Sequence, residues 1–375
     1  MKGAIPGCQV LVAKNNQIVF NKSYGTIAGA QSPLVTNATL YDLASMTKTS
    51  ATTVAIMKLV EEGKVDIDKT IGDYLPWVVG NAKAKIRLKD LLIHEAGLYP
   101  YIKFYESLLN ADGSINSKWI VPVQDADHKL MVTPGKYLAN NWMDSIRMKI
   151  LNSPVTAPGK YVYSDNDFIF LGNIVEQVTG MNLQDYCTKT FYSPMQMHST
   201  GFLPLERADK SNIAASELDN YFRKELIQGS VHDEGASTMG GIAGHAGLFS
   251  NATDIAKLYM MLLNGGQWDG QQYLKPSTIQ WFTSYQSPTS RRGLGFDKTA
   301  RENASSKDPY PSLSAPPSVF GHTGFTGTCV WADPDNQLLY VFLSNRVYPT
   351  RDNKAFSTLN LRAKIQEQIY QAIKK

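Results

Sequence analysis

Two β-hairpin signals lie at opposite ends of this 375-residue chain. Near the start, Cys8 to Ala13 is short and rich in Val and Leu, and Gln17 to Tyr24 follows after the turn Lys14-Asn15-Asn16. Near the end, Gly293 to Phe296 reads as a short strand. Gly327 to Ala332 and Leu338 to Ser344 then flank the turn Asp333-Pro334-Asp335-Asn336. An isolated hairpin is at best marginally stable in water. The early and late strands are therefore predicted to share one antiparallel sheet, and whatever lies between must leave that sheet and return to it.

The intervening sequence is mostly helical. Helical periodicity runs through Val54, Met57, Leu59 and Val60, and Gly63 closes it. From about 85 to 285 the pattern is short helices and long loops: Leu88 to His94, Phe168 to Gly180 and Asp254 to Asn264. A last helix is read from about Ala355 to Ile373, with Leu361, Ile365, Ile369 and Ile373 along one stripe. The predicted fold class is α/β of the α+β kind: an antiparallel sheet flanked by helices, with an inserted, mostly helical subdomain. Residues 1–75 plus 286–375 would form the sheet subdomain and 76–285 the helical one, working as one unit.

Composition removes several classes. With 43% hydrophobic and 19% charged residues there is material for a large core. The net charge is +4, but Lys and Arg form no run of the kind that binds nucleic acid. No apolar stretch approaches the ~20 residues of a membrane span. Residues after Met1 lack the apolar core of a signal peptide and enter a strand almost at once, which reads as a domain excised from a longer protein. The three cysteines, Cys8, Cys187 and Cys329, are widely spaced, so neither a disulfide framework nor a zinc knuckle is expected. No cofactor and no metal is called for.

Three segments carry chemistry. Ser45-Met46-Thr47-Lys48 opens the first long helix, and residues three apart share a helical face, so Lys48 can sit beside the Ser45 hydroxyl. A serine is a poor nucleophile at neutral pH without a neighbouring base. A lysine serves if burial and nearby positive charge lower its pKa. Tyr163-Ser164-Asp165 precedes the Phe168 helix, and a tyrosine near cations can relay a proton. His322-Thr323-Gly324 opens the strand through Gly327, in a stretch dense in Gly and Thr whose backbone can approach a ligand closely.

Taken in this order, the segments resemble the serine β-lactamase and penicillin-binding protein superfamily, whose motifs are S-x-x-K, Y-x-N or S-x-N, and K-T-G. The resemblance covers nearly the whole chain. Leu91-Leu92-Ile93-His94-Glu95-Ala96-Gly97-Leu98 is similar to the family's L-L-x-H-x-x-G-L element, and Leu343 to Pro349 to the stretch entering its last helix. The tyrosine variant points to the class C β-lactamase, D-Ala-D-Ala carboxypeptidase and esterase branch. The resemblance implies that Ser45 is the acylated nucleophile and that Lys48 and Tyr163 share general-base and general-acid work. It implies an oxyanion hole from the backbone N–H groups of Ser45 and Phe325. His322 would sit where the family has lysine, with Asp165, Thr323 and Gly324 lining the substrate. Two departures stand out. Asp165 replaces Asn, and its charge is predicted to raise the Lys48 pKa and weaken it as a base, which argues against efficient β-lactam turnover. His322 replaces Lys and can hold a carboxylate only while protonated. Glu106-Ser107-Leu108-Leu109-Asn110 matches the class A string E-x-x-L-N, but it precedes the tyrosine motif and is read as coincidence.

The stretch from Val231-His232-Asp233-Glu234 to Gly244-His245-Ala246-Gly247-Leu248 resembles a cell-wall-recycling subgroup. That subgroup includes N-acetylmuramoyl-L-alanine amidases, and some members are fused behind a family 3 β-N-acetylglucosaminidase domain. His245 is a candidate for the cleft lining. Arg351, and with it Arg346, is a candidate for binding a substrate carboxylate. The resemblance implies a small peptidoglycan fragment as substrate and a bacterial periplasmic or other extracytoplasmic location. Three functions stay open from sequence: a hydrolase of peptidoglycan amides or peptides (amidase, D,D-peptidase or weak β-lactamase), a small-ester hydrolase of the same fold, and a non-catalytic muropeptide-binding sensor.

Overall fold

The computed structural model describes residues 3–373. Its main sheet has six strands: β1 (Gly7–Lys14), β2 (Gln17–Gly25), β3 (Asp297–Lys298), β4 (Phe320–Thr323), β5 (Cys329–Asp333) and β6 (Leu338–Ser344). The spatial order is β3-β4-β5-β6-β1-β2, antiparallel throughout. The two hairpins are fused edge to edge, with Cys8 opposite Ser344 and Lys14 opposite Leu338. Asn15 and Asn16 both have positive φ, as the tight turn between β1 and β2 requires.

The sheet is covered on both faces, which is why β6 is buried at every position and apolar from Leu338 to Leu343 instead of at every second residue. Leu339, Val341 and Leu343 face the larger core with α3 (Ala252–Leu263). Leu338, Tyr340 and Phe342 face Tyr370, Ile365 and Ile369 of α4 (Leu361–Ile373). Two other elements build the site: α1 (Val54–Glu61) and α2 (Asp165–Thr179). The segment before α1 is a 3₁₀ turn at Ala44–Met46 and a π-helical stretch at Lys48–Thr53. Helix α2 begins three residues earlier than its apolar pattern, because the Ser164 side chain caps it by accepting from the Asn166 N–H.

Several predicted boundaries shift for physical reasons. Gly293 to Phe296 is a turn closed by Gly293 N–H to Phe296 O, and the pairing residues are the next two, Asp297–Lys298. His322 lies inside its own strand β4 and does not open β5, because Gly324 to Gly327 form the turn between them. The helix read from Leu88 stops at Leu92, and His94 adopts a positive φ. The final helix is broken: Ala355–Thr358 is separate from α4, with Asn360 in the left-handed region between them. The central region also contains short strand pairs that sequence reading missed, such as Glu217–Asp219 with Glu225–Ile227.

One close approach fixes the site. The loop at Gly244 lies against α2 so tightly that a Cβ there would stand 2.0 Å from the Phe168 carbonyl oxygen and 3.0 Å from the Gly172 Cα. Thr52 ties the same loop to the π-helical stretch by donating to Gly244 O at 2.6 Å. A methyl group at this contact must push backbone apart. Gly244→Ala is therefore expected to destabilise the protein by about 1–3 kcal/mol, measured by urea unfolding against wild type.

Candidate active site

Ser45 is presented by a strained turn. Ala44, just before it, has φ of 47°, a conformation that a residue with a Cβ adopts only when its surroundings hold it there. Asp42 does the holding: its Oδ1 accepts from Ala44 N–H at 2.8 Å and its Oδ2 from His232 N–H at 2.6 Å. The turn after β4 is stapled to the same segment. Thr326 Oγ1 donates to Asp42 O at 2.7 Å and Thr328 Oγ1 to Leu43 O at 3.1 Å. Gly324 makes this possible, since a Cβ there would lie 2.4 Å from Leu43 O. Ser45 and Phe325 are thereby brought to the same wall of a cleft of about 630 Å³, with Thr323 and Gly324 beside them.

Lys48 lies beneath the serine and is fully buried. Its ammonium donates to Ser45 Oγ at 3.0 Å, to Asp165 Oδ1 at 2.7 Å and to His245 O at 3.1 Å. Burial alone would lower its pKa, but Asp165 and Tyr163 outweigh burial and hold it above the ordinary lysine value. The acid at position 165 thus acts in the direction its charge dictates. Tyr163 lies with its ring centroid 5.0 Å from the Lys48 Nζ and packs on His94 at 4.5 Å between centroids. Burial raises the Tyr163 pKa, and the Lys48 charge only partly opposes it. Hydroxyl, amine and phenol thus converge at the cleft floor from segments far apart in sequence.

Other candidates occupy different roles from those expected. His322 lines the cleft, but burial and Arg292 lower its pKa to about 3, so it is neutral at physiological pH and cannot act as a cationic carboxylate partner. Its Nδ1 faces Thr323 O at 2.7 Å, which makes Nδ1 the protonated nitrogen and leaves the buried Nε2 as an acceptor. His245 supports the site through its main chain, by the carbonyl that receives Lys48; its ring is engaged with Asp233 at 2.9 Å. Arg351 does reach the cleft, yet it is not available to a substrate carboxylate as expected. Its Nε donates to Glu217 at 2.9 Å and its Nη2 to Glu234 at 2.7 Å, and it also meets the Tyr221 hydroxyl. His232 completes the group at 2.8 Å from Glu217, and its ring stacks on Phe325. Glu106 pairs with Lys103 on the surface.

Sequence reading missed Glu217, Tyr221 and Arg362. It also missed Asp42, for which the signal is an acid two residues before Ala44, where such side chains often bond to nearby backbone N–H groups. Arg346 and Arg362 are the cleft guanidinium groups with no carboxylate partner among the described residues. Arg346 donates to Phe325 O at 2.8 Å and Arg362 to Thr328 O at 3.0 Å, so both heads sit on the turn that carries Phe325. Burial and the neighbouring Arg362 charge lower the Arg346 pKa.

The Glu217 cluster makes stability depend on acid. Burial alone would raise the Glu217 carboxyl, but His232 and Arg351 outweigh it and hold the pKa at about 2 instead of 4.5. A lowered carboxylate pKa contributes stability above the ordinary value and loses it as pH falls through the folded value. The contribution is on the order of 3 kcal/mol. Unfolding free energy should therefore fall between pH 4.5 and pH 2 more steeply in wild type than in Glu217→Gln, as read by urea titrations across that range.

The family described as "Beta-lactamase" matches residues 1–363. A protein of Escherichia coli K12 named "Putative D-alanyl-D-alanine carboxypeptidase" is 35% identical over 370 residues, covering 91% of this chain and 78% of that protein. One of the same name from Salmonella agona is 35% identical over 368 residues, covering 91% and 79%. Among solved structures, the octameric penicillin-binding protein homologue of Pyrococcus abyssi superposes with a TM-score of 0.66 at 21% identity, over 96% of this chain and 75% of that one. EstCE1, a hydrolase with promiscuous acyltransferase activity, gives 0.65 at 22% identity, over 94% of both chains. Among the described residues no helix is long and apolar enough to cross a membrane. With a match that spans almost the full length, and relatives above 30% identity, the chain belongs to the β-lactamase and penicillin-binding-protein family of serine hydrolases.

Proposed function

We propose that the chain hydrolyses peptidoglycan-derived amides or peptides through an acyl-enzyme on Ser45, as an amidase or D,D-peptidase outside the cytoplasm. The observation that carries this reading is the 3.0 Å contact between a buried lysine and a cleft-facing serine, with a tyrosine packed over the lysine. Ser45 Oγ attacks the substrate carbonyl carbon and its proton passes to the Tyr163 phenolate. The oxyanion is held by the N–H groups of Ser45 and Phe325. Tyr163 returns the proton to the leaving nitrogen as the C–N bond breaks, then takes a proton from the water that attacks the ester and passes it to Ser45 Oγ as the acyl C–O bond breaks. The names borne by the relatives from Escherichia coli and Salmonella support a peptidoglycan-type substrate. Arg346 and Arg362 supply the carboxylate recognition that neutral His322 and neutralised Arg351 do not.

The electrostatics assign a resting state. With Lys48 raised it is an ammonium, and with Tyr163 raised it is a neutral phenol. The reactive form has lost one proton from this pair, so acylation should accelerate as pH rises from neutral into the alkaline range. Asp165 raises both groups. Asp165→Asn should therefore move the rising limb of the acylation pH profile to lower pH. Acylation at pH 7 should speed up by roughly tenfold for every pH unit that the limb moves. Stopped-flow measurement of acylation by a chromogenic thioester from pH 6 to 10 tests this; an unmoved limb contradicts it.

The substrate is tested by incubating the protein with defined muropeptides and measuring products and intact protein by mass spectrometry. Loss of a terminal D-alanine or of the peptide stem, through an acyl adduct absent from Ser45→Ala, is the expected result. Turnover of p-nitrophenyl acetate alone selects the ester hydrolase. Tight muropeptide binding that is unchanged in Ser45→Ala and yields no product selects the sensor.

A further inference from the structure

His94 belongs to the Leu91–Leu98 element, which the mechanism above leaves without a task. It is fully buried and held at φ of 58°. It grips the Tyr163 segment at three points. Its carbonyl accepts Val162 N–H at 2.9 Å, its Nδ1 accepts Ser164 N–H at 3.3 Å, and its ring packs on the Tyr163 ring between them. The same Nδ1 lies 2.6 Å from Asp167 Oδ2, on the first turn of α2 two residues after Asp165. The geometry points to His94, braced by Asp167, as the positioning residue that fixes the Tyr163 phenol against Ser45 and Lys48. This rests on the assignment of Tyr163 to proton transfer.

The charges around the pair keep it neutral. Burial, and after it the charges of Arg292 and Lys48, push His94 well below the ordinary imidazole value. Burial and Asp165 push the Asp167 carboxyl well above its own, more than Lys48 and Arg292 draw it down. A neutral imidazole and a carboxylic acid share one proton at 2.6 Å, and no net charge is added beside Lys48. A second ammonium-like charge or a second carboxylate here would shift the proton balance of Lys48 and Tyr163. An uncharged brace orients the phenol without disturbing that balance. His94 Nε2 and Asp167 Oδ1 are buried without hydrogen-bond partners among the described residues, so the side-chain hydrogen bonds of this pair run to Ser164 N–H or within the pair itself.

The test compares His94→Phe, Asp167→Leu and Asp167→Asn with wild type. His94→Phe keeps a ring against Tyr163 but removes the Nδ1 acceptor. It should lower kcat for acylation at least tenfold, change KM less than twofold and displace the pH limb that Tyr163→Phe abolishes. Asp167→Leu should show the same pattern, and Asp167→Asn, which can still donate to Nδ1, should recover most of what Asp167→Leu loses. Equal kcat and an unmoved limb in His94→Phe overturn the inference. So does an Asp167→Asn rate as low as that of Asp167→Leu. If His94→Phe does not fold, the Asp167 pair decides on the same criteria. Labelling of wild type by a fluorophosphonate at Ser45, lost in Tyr163→Phe, shows the site assignment intact independently of these outcomes; full activity in Tyr163→Phe sinks the assignment itself.

Discussion

The ammonium of Lys48 has three protons and gives each to a different part of the chain: Ser45, Asp165 and the carbonyl of His245. A buried cation without partners is strongly destabilising, so these contacts are the condition on which Lys48 can be buried at all. They also join the segment leading into α1, the first residue of α2 and the glycine-rich loop at one point. The rest of the site follows from keeping those segments in register. Gly244 lets the loop touch α2, Asp42 holds the turn before Ser45, and the threonines after β4 staple the Phe325 turn to that same segment.

Charge balance in the cleft follows from the same constraint. Each acid there has a basic group beside it: Asp165 has Lys48, Asp233 has the His245 ring, Glu234 has Arg351, which also holds Glu217, and Asp297 has Arg291 and Arg292. This pairing occupies Lys48, Arg351, Arg291 and Arg292. It leaves Arg346 and Arg362 as a positive excess on the turn that carries Phe325.

Ser45, Lys48 and Tyr163 were legible in the sequence because their relation is local or ordered: a one-turn spacing on a helix, and a tyrosine just before a helix cap. The sheet was legible because two hairpins at opposite ends had no other way to be stable. What failed depends on burial and on loop placement. Nothing in His322-Thr323-Gly324 reveals that the imidazole is enclosed near Arg292, and that enclosure makes it neutral. Nothing in the sequence near Arg351 reveals Glu217, 134 residues away, which consumes its charge. The strand misread at Gly293 to Phe296 alternates glycine with apolar residues, yet its glycines serve a turn.

Two substitutions relative to the family pattern make sense together. Asparagine at 165 would leave Lys48 with only neutral acceptors, and a lysine at 322 would add a second cation near the floor. Here an acid at 165 neutralises Lys48 and a neutral histidine at 322 withdraws the second cation. The two changes act together: the one cation left on the cleft floor has a carboxylate beside it, and the cleft's guanidinium groups without a carboxylate partner among the described residues, Arg346 and Arg362, lie on the Phe325 turn.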